Sequence, residues 1–229
     1  MVGLTYRDVE ETLAAVHRIR PDKRIAFRAR LKHLQREGWP EGANTGTGKR
    51  FNYQLSSLMQ MALAIELLQA GLSPRRAVAI LKAGWQETAI SLMAVRVAHP
   101  ILAQWGELGT QDLQEIFWCV HPEALQDLAK SSAGDEGADD IVMLRPGQLP
   151  PYFLSSLEVA GFGGQNRALV IGLRALTIEV DLKLFDVVPK LDSEEMPMLF
   201  CAELLGSDLT LERREIVRSF ADFLKARRQ

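Results

Sequence analysis

The stretch Lys32-His33-Leu34-Gln35-Arg36-Glu37-Gly38-Trp39 decides how the first third of the chain reads. It is the end of a basic helix stopped by glycine, and a second basic-aromatic cluster, Lys49-Arg50-Phe51-Asn52-Tyr53, follows it. Upstream, Pro21-Asp22 breaks the chain, and between Lys23 and Glu37 the residues Phe27, Leu31 and Leu34 share one helical face. At about 100° per residue, Arg28, Lys32, His33 and Arg36 fall on the opposite face, which is therefore cationic. Gly42-Ala43-Asn44-Thr45-Gly46-Thr47-Gly48 has the composition of a flexible hairpin connector. Beyond it, Leu55, Leu58, Met61, Leu63, Ile65, Leu67 and Leu68 make a strongly helical run that Gly71 ends. A basic helix, a glycine-rich basic hairpin and a packed helix, in that order, are the parts of a winged helix-turn-helix.

The same rules extend to both sides. Thr5 followed by Asp8 caps a first helix over Thr5–Ile19, with Val9, Leu13 and Val16 at helical spacing. Ser73-Pro74 opens a helix over Arg75–Lys82. Gln86–Leu108 is amphipathic through Ile90, Met93, Val97 and Ile101, and Pro100 is expected to kink or divide it. Another helix is expected over Thr110–Lys130, and the small, acidic segment Ser131–Asp140 reads as a boundary or loop. Ile141–Leu144 and Ala168–Leu173 suit short strands. Thr177–Phe185 alternates Ile178, Val180, Leu182 and Leu184 like a half-buried strand, with helix as the alternative, and Thr210–Arg228 is a helix with Ile216, Phe220, Phe223 and Leu224 on one stripe. The expected fold is mainly α: a winged helix-turn-helix over residues 1–82, a helical linker or dimerisation region over 83–130, and a C-terminal α+β domain with a few short strands over 141–229.

Composition excludes more than it identifies. The 229 residues are 47% hydrophobic and 24% charged, as in an ordinary globular protein, with a net charge of −2. That average hides a polarised chain, because residues 18–50 hold ten Lys/Arg against three acids. Cys119 and Cys201 lie far apart, without the pairing of a zinc site or the density of a disulfide scaffold, which fits a reducing cytoplasm. No signal-peptide core and no membrane-spanning apolar run is present, so a cytoplasmic protein without membrane contact is expected.

Catalytic and cofactor patterns fail on inspection. Gly46-Thr47-Gly48-Lys49 lacks the earlier glycine of a phosphate loop, where Ala43 stands, and the Ser/Thr after lysine, where Arg50 stands. Gly161-Phe162-Gly163-Gly164 lacks the third glycine of a dinucleotide fingerprint, Asn166 occupying that place. His17, His33, His99 and His121 show no ligand spacing, and the acid pairs Glu10-Glu11, Asp139-Asp140 and Glu194-Glu195 have no nucleophile or metal beside them. No enzyme, cofactor or metal is expected.

A duplex-binding helix needs cations on one face to meet phosphates, with side chains long enough to reach base edges. Arg28, Lys32, His33 and Arg36 satisfy this, whereas a lone basic run is more often a solvated face. The second cluster tips the balance, since Lys49, Arg50 and Tyr53 sit where a wing touches the neighbouring backbone.

These residues resemble the DNA-binding domain of the mercury-resistance-regulator (MerR) family of bacterial transcription regulators. That family shows an Arg-Tyr-Tyr-x-Arg-x-Gly-Leu segment at its second helix, to which Lys32–Trp39 is similar in spacing, keeping Arg36 and Gly38. The register continues through Tyr53 as the wing tyrosine, Leu58, Met61, Ala64 and Leu67 in the following helix, and Ala70-Gly71-Leu72-Ser73 after it. The resemblance covers about residues 4–82; His33 and Leu34 replace the tyrosine pair, and the Thr5–Lys32 segment is longer than the family's. It implies a homodimer joined by a long helix, for which Gln86–Leu108 is the candidate, and a C-terminal region sensing a small-molecule or protein effector. The expected function is a sequence-specific regulator bound to double-stranded DNA. A protein-interaction adaptor is the alternative, and a small-molecule binding module or enzyme in residues 141–229 a third.

Overall fold

Local signals start and stop the N-terminal helices. Thr5 and Asp8 form a reciprocal capping box at the start of α1 (Tyr6–Val16), whose Val9, Leu13 and Val16 turn inward. A 3₁₀ turn at Pro21–Lys23 leads into α2 (Arg24–Arg36). Both helices end in the same hydrogen-bond pattern. Ile19 N–H donates to Ala14 O at 2.8 Å and Arg18 N–H to Ala15 O at 3.1 Å after α1; Trp39 N–H donates to Leu34 O and Gly38 N–H to Gln35 O, both at 3.0 Å, after α2. That closure requires a left-handed residue, which is Gly38 (φ 78°) in one case and Arg18 (φ 51°) in the other. Helices α3 (Leu55–Gln69) and α4 (Pro74–Gln104) follow.

The computed structural model describes residues 3–43, 51–104, 115–120, 141–150, 169–192 and 194–227. These are mainly helical with one small antiparallel sheet. The sheet has β1 (Phe117–Val120) between β2 (Ile141–Leu144) and β3 (Leu169–Gly172), with Trp118 opposite Met143 on one side and Ile171 on the other. Strand β3 runs straight into α5 (Leu173–Val187), and α6 (Met196–Leu205) and α7 (Leu211–Arg227) complete the chain.

Three expectations are corrected. Pro100 lies inside α4, which is one continuous helix from Pro74 to Gln104, so the segment read as Arg75–Lys82 and the described part of Gln86–Leu108 belong to the same element, residues 105–108 lying outside the described residues. Within Thr110–Lys130, residues 117–120 are the central strand β1; a run of Phe, Trp, Cys and Val suits a pleated surface paired on both sides. Thr177–Phe185 is helical, because Leu173, Leu176, Thr177, Val180 and Leu184 recur at three- and four-residue spacing and are buried, while Leu182 of the apparent alternation is exposed.

The segment expected as a separate C-terminal domain has no core of its own among the described residues. One cluster of buried side chains runs from Leu4 to Leu224. Helix α1 packs on α5, α3 on α6, and α4 on α5, α6 and α7. Polar contacts stitch the same seams. The buried Glu203 carboxylate of α6 accepts from Leu55 N–H (3.0 Å) and Ser56 N–H (2.8 Å), capping α3 from the far end of the sequence. Arg96 of α4, almost wholly buried, donates twice to Asp181 of α5 (2.6 and 3.2 Å), and its guanidinium lies 4.4 Å from the centre of the Phe200 ring. Gly84 lets the sheet approach α4, since a Cβ there would stand 2.3 Å from Ile141 Cδ1.

Candidate nucleic-acid interface

Helix α2 is held from beneath. Phe27, Leu31 and Leu34 are buried, and the helix end is anchored by Trp39, whose indole N–H donates to Gln60 O of α3 (3.0 Å) while its ring meets Trp85 of α4 edge-on at 6.0 Å. A cationic face is useful to a ligand only if its support does not give way, and this one is clamped by two neighbouring helices.

Arg28, Lys32, His33 and Arg36 are all exposed, as the helical periodicity requires, but they are not equivalent. Arg28 Nε and Nη2 both donate to the buried Glu10 carboxylate of α1 at 2.8 Å, so its charge is spent inside the protein. Glu10 is the functional neighbour that sequence reading missed, because nothing local links positions 10 and 28. His33 lies 3.6 Å from Glu37 one turn on. Among the described residues, Arg30, Lys32 and Arg36 carry no ion pair and face solvent. Lys82 of α4 joins them: its ammonium donates to Glu37 O (3.4 Å), which brings a further cation to the C-terminal end of α2. That cation, too, has no signature in sequence spacing.

Beside Arg28 a cleft of about 550 Å³ opens between α1 and α2, lined by Tyr6, Arg7, Glu10, Glu11, Arg28 and Lys32. Its walls are internally paired, with Arg7 Nε 2.7 Å from Glu11 in addition to the Arg28–Glu10 fork. Burial, then the Glu10 carboxylate, pushes the Tyr6 phenol up to about 12, so it stays protonated.

Tyr53, expected as a wing contact to phosphate, is instead a core residue. It is buried against Tyr6 and Phe51, its hydroxyl accepts from Gln35 Nε2, and its backbone forms an isolated antiparallel bridge with Leu4. A phenol enclosed this way fixes the base of the loop and does not reach a ligand. Lys49 and Arg50, with the rest of 44–50, lie outside the described residues, as do Ser131–Asp140.

Where α1 ends, His17 sits against α3, with Glu66 3.3 Å and Gln69 Nε2 2.9 Å from Nδ1. The carboxylate does not keep the ring charged, because burial dominates and pushes His17 down to about 4, while burial pushes Glu66 up. Burial likewise raises Cys119 and Cys201, the latter to about 11, which disfavours the thiolate form of both. Among the described residues no three His, Cys, Asp or Glu side chains converge as a metal site would require, and no helix is long and apolar enough to cross a membrane.

Comparison with known proteins finds no matching family model, no matching curated protein and no matching solved structure. The resemblance of residues 4–82 to mercury-resistance regulators therefore stands on its own residues.

Proposed function

We propose that the chain is a sequence-specific DNA-binding transcription regulator of the MerR-like type, acting as a homodimer, with α2 as the recognition helix of a winged helix-turn-helix. The observation that supports it most is the contrast on α2: an inner face sealed into the core and an outer face whose Lys32 and Arg36 are exposed and unpaired among the described residues. Cations without internal partners are available to release counterions from a phosphate backbone. Lys32, Arg36 and Lys82 would hold that backbone, and Arg28 would act through Glu10 as a positioning residue for α2. Reading two half-sites needs a two-fold pair. The mid-section of α4 is consumed by the protein's own core, so we assign the pairing surface to α7, where Ile216 and Phe223, about 20° apart around the helix, expose apolar area.

The test is duplex binding by the full chain. Lys32→Ala combined with Arg36→Ala should weaken binding to every duplex about equally, leave the melting temperature unchanged and make the salt dependence shallower by about two units. Arg28→Ala should lower stability as well, because it leaves Glu10 buried and unpaired. If the full chain binds no duplex, the regulator reading fails.

A further inference from the structure

Ile25, in the first turn of α2, is 82% exposed. A single exposed apolar side chain is ordinary on a protein surface, and what sets this one apart is its place in line with a row of unpaired cations. It lies on the same outward face as Lys32 and Arg36, which follow about 10 Å and 16 Å along the helix axis. Its neighbours Ala26 and Ala29 are exposed as well, so the first two turns carry no long outward side chain between Ile25 and Lys32 apart from Arg28 and Arg30 on the flanks, and Arg28 is drawn back onto Glu10. The face is therefore low and apolar at its N-terminal end and cationic at its C-terminal end.

Duplex DNA presents both kinds of counterpart. Phosphates rim the major groove, and inside it the one apolar group on any base edge is the 5-methyl of thymine. The N-terminal residues of a recognition helix are those that reach base edges. We propose that Ile25, flanked by Ala29, is a specificity-determining residue that reads a thymine methyl in the major groove while Lys32 and Arg36 hold phosphate. This rests on the DNA-binding reading above and adds to it the chemical identity of one recognised group.

The experiment uses the full chain and a duplex selected by it from a random pool. Each thymine is then replaced by uracil, which pairs identically and lacks only the methyl. Wild type should lose about fourfold in affinity at a thymine in each half-site, the weight of one methyl group returned to water. In Ile25→Ala, which keeps the helix and touches no core residue, the same replacement should cost nothing. Lys32→Ala should weaken every sequence alike and retain the uracil effect. If wild type binds its selected duplex but uracil has no effect, or has the same effect in Ile25→Ala, the assignment of Ile25 is overturned and the regulator reading stands. If wild type selects no duplex at all, both fall.

Discussion

Helices α2 and α4 both show apolar residues at helical spacing and end in opposite situations. In α2 the buried residues Phe27, Leu31 and Leu34 span an arc of about 60°, whereas in α4 the buried residues from Trp85 to Arg96 span about 160°. A narrow arc means one layer of neighbours and a free outer face. The wide arc means that α4 is surrounded by α3, α5, α6 and α7, with Leu92 and Met93 fully buried inside a single chain. Helical periodicity states which residues share a face; it does not state whether that face meets solvent, the same chain or a second copy. The sequence pattern that suggests a dimerisation helix is, in the folded chain, the centre of the core.

The largest test of this contrast is Leu92→Ala. Removing a fully buried side chain with little room to relax should destabilise by about 2–5 kcal/mol in urea unfolding, independently of protein concentration, and Ile216→Glu on α7 should shift sedimentation toward monomer without comparable loss of stability. A destabilisation of Leu92→Ala that varied with concentration would put α4 in an interface between copies and break the comparison.

The next effect concerns the support of α2, through the end of α1. Burial holds His17 at about 4, below the 6.5 of the unfolded chain. Between those values the unfolded chain takes up a proton that the folded chain refuses, so stability falls as pH drops from 6.5 toward 4 and the contribution is lost below that. The slope from this group is at most about 1.4 kcal/mol per pH unit. His17→Gln should show a flatter profile across that window, and identical profiles would mean that His17 takes up its proton in the fold as readily as in the unfolded chain.

The smallest effect is a gain. Arg18 occupies the left-handed position that Gly38 fills after α2, and a Cβ there is strained. Arg18→Gly should stabilise by roughly 0.5–1 kcal/mol, the relief of strain less the entropy of glycine. Thermal unfolding would measure it, and a loss would show that the Arg18 side chain contributes more than its backbone costs.

Much of the N-terminal architecture was legible because its determinants are local. The Thr5–Asp8 box, Gly38 after α2, the apolar stripe of α2 and the run through α3 each rest on residues a few positions apart, and each operates as the sequence pattern implies. The candidate face of α2 was legible in outline for the same reason. Its internal ranking was not, since the pairing of Arg28 with Glu10, the arrival of Lys82 beside Glu37 and the enclosure of Tyr53 are made across 18, 45 and 49 residues.

By itself, then, the sequence determined which segments of the first third are helices, where α2 and α3 stop, and which side of α2 is cationic, because capping, left-handed closure at glycine and the 3.6-residue period are properties of neighbouring residues. Only the tertiary structure decided that Glu203 caps α3 from the other end of the chain, that α4 is core, that the expected C-terminal domain shares one core with the N-terminal helices, and which exposed cations remain unpaired. Those outcomes depend on what is packed against each face, and burial converts an apolar stripe into core, or a buried carboxylate into a partner for a cation, only once a neighbour from elsewhere in the chain arrives.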